Sequence, residues 1–375
     1  MPLSLKPLSE QVIVITGASS GIGLVTARMA ARRGAKVVAV ARNEDALRQL
    51  VAELRRAGGQ AIAVRADVGR ERDMQRVAGA AIEAFGGFDT WVNNAGVSIF
   101  GRCEDVTIPD MRRMFDTNFW GTVYGSRLAV AHFKQRGRPG ALINVGSIFG
   151  DRANPVQSTY SASKHAQHGW TESLRMELEK EKAAVSVTLI HPGRIDTPYN
   201  EHARSYIPQQ PAHRGMIYPP EAVAEAILFA AEHPKRDMFV GSQAKFGAVM
   251  GALAPRLMDK LMELMMFHSQ RSKSRPSRSR EDNALYRAGY GLHERGTHEG
   301  WIRSRSYYVK ASKYPTLTIA ALLGLGGALR ALGAKAPTKA TTRRHEPQAR
   351  SAPVSTRPPR VPSSQAMEGS THAPV

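Results

Sequence analysis

From Gln11 onward, short runs rich in Val and Ile alternate with longer segments whose apolar positions recur at helical spacing. That rhythm predicts a parallel sheet with crossover helices rather than a series of hairpins. Strands are expected at 11–16, 36–41, 61–65, 89–93, 141–146 and 185–190, with a shorter one near 237–241. The helical stretches 22–33, 43–57, 71–85, 109–135 and 158–181 are each long enough to cross the sheet and return. The implied architecture is α/β: a doubly wound parallel sheet in three α/β/α layers, one continuous unit over 11–245 behind a leader of residues 1–10.

Beyond residue 245 the pattern changes. Residues 246–268 place apolar side chains at helical spacing, with four Met near the end, and read as one amphipathic helix. It would complete the core or an oligomer interface, or else form a substrate lid or a membrane-contacting face. Residues 269–314 begin with the Ser/Arg run SQRSKSRPSRSR, which has too little apolar surface to fold alone, and read as a basic linker. Residues 315–333 include an uncharged stretch from Pro315 to Leu329, shorter than the ~20 residues of a spanning helix. A docked or membrane-surface helix is expected there. Residues 334–375, rich in Pro, Ser, Thr and Arg, are expected to be disordered. The extension is therefore helical and disordered by turns.

Composition narrows the setting. Of the formal net charge of +20, residues 269–375 carry +13, so basicity is mostly a property of the tail. The single cysteine, Cys103, excludes an intramolecular disulfide framework and a multi-cysteine zinc site. No secretion signal is evident at the start of the chain, and a cytoplasmic protein is expected, with peripheral membrane contact through the extension as an addition.

The first strand runs into Thr16-Gly17-Ala18-Ser19-Ser20-Gly21-Ile22-Gly23 and then an Ala-rich helix. Glycines 17, 21 and 23 permit a tight turn, close approach of backbone to a pyrophosphate, and packing of helix on strand, while the helix N-terminus presents N–H groups to the anion. Strand before and helix after make this a Rossmann-like dinucleotide site. The second strand ends at Ala41-Arg42 without the acidic residue that would accept hydrogen bonds from a ribose 2′-OH, which favours NADP over NAD; Arg42 as an ordinary helix-start residue is the alternative. Asp67, in Ala66-Asp67-Val68 after the third strand, is placed for the adenine amino group or for capping a turn.

Asn93-Asn94-Ala95-Gly96 closes the fourth strand, Ser147 closes the fifth, and Tyr160 and Lys164 lie four apart on a helix. In this order and spacing, with the glycine turn, the chain resembles the short-chain dehydrogenase/reductase family over about 240 residues. Residues four apart share a helix face, so Lys164 can stand beneath the Tyr160 hydroxyl, and a nearby cation lowers a phenol pKa from about 10. Tyr160 is then the proton donor and acceptor, Ser147 positions the carbonyl oxygen, and Lys164 tunes Tyr160 while binding the nicotinamide ribose. The resemblance further implies that Asn118 anchors a proton-relay water. It also implies that Ile195 and Thr197, in the loop from Pro192, contact the carboxamide. The cofactor set is thus Gly17, Ser19, Gly21, Ile22, Gly23, Arg42, Asp67, Val68, Asn94, Ala95, Gly96, Tyr160, Lys164, Pro192, Ile195 and Thr197. Histidines 165, 168 and 191 have no metal-like spacing, and no metal is expected. Cys103 has no activating neighbours in the pattern.

Residues 198–220 and 97–105 would form the substrate pocket; Tyr199, Tyr206, Ile207, Met216, Ile217 and Tyr218 suit a sizeable apolar carbonyl or alcohol. A homodimer or homotetramer through 109–135 and 158–181 is implied by the resemblance. The rival reading is a membrane-peripheral or scaffold protein whose Rossmann unit senses nucleotide, the tail binding an anionic leaflet. Specific nucleic-acid binding is not expected, for want of a recognisable binding fold.

Overall fold

The computed structural model describes residues 3–298, 301–303 and 306–314. The helix expected at 315–333 and the tail 334–375 lie outside the described residues. Seven parallel strands form the central sheet: β1 Val12–Thr16, β2 Lys36–Ala41, β3 Ala61–Arg65, β4 Thr90–Asn93, β6 Gly140–Val145, β7 Val185–Pro192 and β10 Asp237–Val240, in the order β10-β7-β6-β4-β1-β2-β3. Strand order reverses at β1, and there the nucleotide crevice of a doubly wound sheet opens. Three short strands, β5 Ile99–Phe100, β8 Arg204–Ser205 and β9 Gln209–Pro211, lie outside that sheet, with β5 paired to β8.

Both faces of the sheet are covered, which is why β1 reads VIVIT without a polar alternation. Ile13 and Ile15 enter one core, with Leu24, Ala27 and Ala30 of α1 (Gly21–Arg32), Leu47 and Leu50 of α2 (Glu44–Arg56), and Ile227 and Leu228 of α8 (Pro220–Glu232). Val12 and Val14 enter the opposite core with Met74 and Val77 of α3 (Glu71–Phe85), Trp91 and Phe133. Helix α8 is missing from the expected helices because AVAEAILFAAE is apolar nearly all round and shows no amphipathic period; it packs between sheet, α1 and leader, where Leu8 is also buried.

The long helix expected at 109–135 is three pieces: α4 Ile108–Phe115, a π-helical turn Asp116–Trp120, and α5 Gly121–Arg136. A π-turn inserts one residue and rotates the rest of the helix about its axis, a device concentrated at functional sites; Asn118 lies within it. Helix α6, Ser158–Lys180, is continuous, and a short α7, Tyr199–His202, comes after β7.

The single helix expected at 246–268 is α9 Ser242–Leu253 and α10 Pro255–Ser269, broken where Pro255 can donate no backbone bond. Residues 269–314 depart from the linker expected there. Strand β11, Arg271–Pro276, pairs antiparallel with β9, Leu285 is fully buried, and α11, Tyr307–Lys313, buries Val309 against α8 and β10. The segment folds because it has a finished domain to lie on, a partner that its own apolar content does not reveal.

Candidate active site

The glycine turn joins β1 to α1 as expected. Gly17 has φ of +69°, a left-handed conformation, and a Cβ there would stand 2.9 Å from the Ala95 Cα. A Cβ on Gly23 would come closer than 3.0 Å to the carbonyl oxygen of Gly17. The turn is tied to the β4 loop: the Thr16 hydroxyl accepts from the amides of Asn94 (2.9 Å) and Ala95 (3.0 Å), and the Asn94 amide nitrogen donates to the Thr16 carbonyl at 2.9 Å. Ser20 makes no side-chain cap at the start of α1, so its hydroxyl does not compete for the first-turn amides, of which that of Gly21 donates to the His293 carbonyl at 2.9 Å. This cradle fits a pyrophosphate, and the chain holds it without a bulky side chain in the way.

Two cavities continue from the turn. One, about 180 Å³, is lined by Gly17, Ser19, Gly21, Ile22, Arg42, Asp67, Val68, Asn94, Ala95, Gly96 and Thr197. The other, about 130 Å³, is lined by Ser147, Tyr160, Lys164, Pro192, Ile195 and Thr197, and shares Ile22, Asn94, Gly96, Thr197 and Tyr199 with the first. A larger cavity of about 270 Å³ lies beyond Ile195, Thr197 and His213, against β11. It contains none of the expected catalytic residues.

Tyr160 is buried, hydrogen-bonded to the Ser147 side chain, and stands edge-on to Tyr199 with ring centres 5.6 Å apart. Asn118, fully buried in the π-turn, donates from its amide nitrogen to the Val97 carbonyl (3.0 Å) and the Ser163 hydroxyl (3.1 Å), and accepts from the Val97 amide at 2.9 Å. The turn thereby fixes Asn118 between β4's loop and α6, one turn from Tyr160.

A family profile described as short chain dehydrogenase matches residues 11–207. The chain belongs to this family. It is 69% identical over 324 residues, 86% of this chain and 91% of the other, to an uncharacterized oxidoreductase, YxnA, of Bacillus subtilis. It is 36% identical over 194 residues, 52% of this chain and 74% of the other, to 3beta-hydroxysteroid dehydrogenase 1 of Eggerthella lenta. Among solved structures, a short chain dehydrogenase/reductase from Burkholderia phymatum in complex with NAD superposes with a TM-score of 0.59 at 27% identity, over 72% of this chain and all of that one. The short-chain dehydrogenase is thus an oxidoreductase of the type acting on CH–OH donors, with a nicotinamide dinucleotide as its cofactor.

Within that frame three expectations change. Lys164 does not stand as a cation that lowers Tyr160: its Nζ donates to the Val145 carbonyl and to Gln167 Oε1, both at 2.9 Å, and lies 5.9 Å from the Tyr160 ring centre. Burial pushes the Tyr160 hydroxyl up, against the lowering effect of the Ser147 and Tyr199 hydrogen bonds, and drives the Lys164 ammonium down to about 7. Asp67 is committed to Arg113, at 2.6 Å, and to the Gly69 amide at 3.1 Å, so it closes its own turn before meeting any ligand. Arg42 lines the cavity of about 180 Å³, and its guanidinium donates to the carbonyls of Ala284 and Leu285 in the C-terminal segment, while burial lowers its pKa.

Arg113 is a functional candidate that the sequence did not single out. It looks like any surface arginine of a helix, and only the fold brings its Nε within 3.1 Å of the Leu285 carbonyl that Arg42 also bonds. The histidines dismissed on spacing also converge: His168 and His191 bracket Asp151, at 3.2 and 2.8 Å, their ligand atoms all within 4.8 Å of one another. Their polar atoms are spent on each other and on the Ser147 amide, which donates to His168 Nε2 at 3.4 Å. The cluster therefore braces the Ser147 backbone from below. Burial lowers the His168 pKa, while for His191 the carboxylates of Asp151 and Asp237 outweigh burial and raise it. Cys103 is exposed.

Proposed function

We propose that this short-chain dehydrogenase uses NADP(H) to interconvert a carbonyl and a secondary alcohol on a sizeable apolar molecule, with Tyr160 as general acid and base. The observation that carries the reading is the meeting of Ser147, Tyr160 and Lys164 in one cavity, opposite Ile195 and Thr197 and continuous with the glycine turn. The cofactor supplies hydride to the carbonyl carbon. Tyr160 gives its hydroxyl proton to the oxygen as it becomes an alkoxide, and Ser147 donates a hydrogen bond that fixes that oxygen against Tyr160. Lys164, its ammonium already poised near neutrality, exchanges Val145 and Gln167 for the ribose hydroxyls and returns a proton toward Tyr160 through water held at Asn118. The backbone of Gly17, Ser19, Gly21, Ile22 and Gly23 would hold the pyrophosphate, Asp67 and Val68 would meet the adenine, Ala95 and Gly96 the ribose, and Pro192, Ile195 and Thr197 the carboxamide.

NADP is favoured by charge. Arg42 and Arg113 converge on one neutral carbonyl oxygen, with the charge of Asp67, paired to Arg113, set against both, so a dianionic 2′-phosphate there would gain more than a 2′-hydroxyl. The apolar substrate is favoured by Ile148, Phe149 and Tyr199 beside Tyr160 and by the hydroxysteroid dehydrogenase among the relatives. The test is loss of reduced-nicotinamide absorbance with NADPH or NADH on a panel of apolar ketones, hydroxysteroid oxidation products among them. Wild type should turn over and Tyr160→Phe should lose at least about a hundredfold in kcat, in the range general acid catalysis contributes. Equal rates in the two proteins would remove Tyr160 from the chemistry. Tight NADPH binding without turnover on any substrate would favour a nucleotide sensor.

Two further features support the expected setting. Trp120 and Met176 are exposed on the helices expected to build a homodimer or homotetramer. Leu253, Leu257 and Leu264 are exposed along α9 and α10, beside Arg256 and Lys260, which supports peripheral contact with an anionic membrane. No helix among the described residues is long and apolar enough to cross one. Sedimentation of the full chain with anionic liposomes, beside neutral ones, tests this; equal and negligible pelleting in both removes the membrane.

A further inference from the structure

Residues 281–298, which lie beyond the 11–207 matched by the family profile, run across the open side of the nucleotide crevice. It is fastened to the glycine turn itself: the Leu292 amide donates to the Ser19 carbonyl at 2.8 Å, and the Gly21 amide donates to the His293 carbonyl at 2.9 Å. Asn43, which caps α2, also donates to the Gly289 carbonyl at 2.9 Å. Arg42 and Arg113 hold Ala284 and Leu285 by their carbonyls. The Leu285 side chain is fully buried in an apolar cluster with Val97, Ile99, Val106 and Met114. Ion pairs pin the far end, Glu294 to Arg28 at 2.7 Å and Arg295 to Glu221 at 2.9 Å.

This is a built crossing. A Cβ on Gly291 would come closer than 3.0 Å to the Ala46 Cβ, so the backbone lies on α2 as closely as backbone can. Leu292 is held at φ +62°, a conformation an L-residue with a branched side chain adopts only when its surroundings impose it. The crossing leaves space beneath it. Ala284, Ala288, Gly289 and Tyr290 form one wall of the cavity of about 180 Å³ whose other walls are Gly17, Arg42, Asp67 and Asn94.

We propose that residues 284–293 are a strap that completes the cofactor site: Tyr290 and the Ala288–Gly289 backbone close on the adenosine half, and the strap must swing out for the dinucleotide to leave. The inference rests on the nicotinamide cofactor and adds binding residues from outside the shared family fold. Because the strap covers the ligand and is fastened by many weak bonds, it slows release more than it changes association. Its anchor, Leu285, and its wall, Tyr290, are separable, since Tyr290 is 36% exposed and lies outside the apolar cluster that buries Leu285.

The test uses the full chain. NADPH fluorescence gives the affinity, rapid mixing with excess unlabelled nucleotide gives the release rate, and amide hydrogen exchange reports on Gly21 and Leu292. Release at least about tenfold faster in both Leu285→Ser and Tyr290→Ala, with Gly21 and Leu292 better protected when NADPH binds to wild type, is the expected result. If Leu285→Ser does not fold, Tyr290→Ala alone decides. Unchanged release in the folded variants overturns the proposal. Lower protection of Leu292 on binding, with tighter binding by the variants, overturns it in favour of a strap that must be displaced. No binding by wild type would remove the cofactor reading and the strap's role with it.

Discussion

Replacing Arg42 by Ala separates two jobs that the structure assigns to one side chain. The guanidinium sits at the end of β2 and donates to Ala284 and Leu285, with Arg113 donating to the same Leu285 oxygen. A carbonyl is a neutral acceptor, and two guanidinium groups sharing it with only Asp67 nearby leave a net positive site. A hydrogen bond to a charged group contributes about 1.5–3 kcal/mol, roughly ten- to a hundredfold in affinity. If the site receives the 2′-phosphate, Arg42→Ala loses that factor for NADPH and nothing comparable for NADH. Loss of the strap's fastening, by contrast, weakens both nucleotides by the same factor. Fluorescence titration of both cofactors against both proteins isolates the first effect as a change in the ratio of dissociation constants. The NADPH-to-NADH preference should fall by at least about tenfold. An unchanged ratio, whatever happens to the absolute affinities, would leave Arg42 as a strap anchor alone and remove the physical basis for preferring NADP.

Two other substitutions read different parts of the site. Gly23→Ala pushes a methyl into the Gly17 carbonyl and the Asn94 side chain, so the turn must move; overpacking of this kind costs about 1–3 kcal/mol and should abolish NADPH binding, as urea unfolding and fluorescence together check. Gly169→Ala, with nothing near its Cβ in α6, should do neither; comparable damage from both would show that the turn is not specially constrained. Lys164, at about 7 when folded and at an ordinary 10.5 when unfolded, binds fewer protons in the native state between those values. Burial of its charge therefore destabilises the cofactor-free protein fully below pH 7, and stability recovers as pH rises toward 10.5, with a slope of at most about 1.4 kcal/mol per unit. Lys164→Met should remove that rise from the pH dependence of the urea midpoint, and a rise that persists unchanged would place the titration elsewhere.

The sheet was legible because its strands are buried on both faces, so VIVIT, KVVAVA and GALINV stand out against polar crossovers. The reacting groups were legible for a related reason: turn glycines, the β4 terminus and a Tyr/Lys pair one helical turn apart each need a residue type that geometry dictates. Interruptions within helices were not. Residues 110–136 contain no proline, so nothing in their sequence marks the π-turn as a break. Asn118 was found by resemblance, and its hold on Val97 and Ser163 comes only from the rotated turn. His168 and His191 stand 23 residues apart in sequence yet share one carboxylate, because α6 packs on β7 and Asp151 lies against both histidines.

The strap was hidden for a deeper reason. Its attachments at Ser19, Gly21, Asn43, Arg42 and Arg113 all involve its own backbone, and backbone bonds leave no periodic trace in side-chain identity. The sequence displayed charge instead, which pointed outward to an anionic partner. Among the described residues, part of that charge is spent on the domain. Arg295 meets Asp196 and Glu221, Lys313 meets Glu225, and Arg280 lies 4.4 Å from the centre of the Tyr206 ring. Each such contact lowers the number of described cations left to attract a membrane or a nucleic acid. For these described residues an acidic and aromatic landing surface on the catalytic domain accounts for the charge, and salt that screens the partly exposed pairs of Arg28 with Glu294 and Arg295 with Glu221 should loosen the strap and speed cofactor release before it affects the fold.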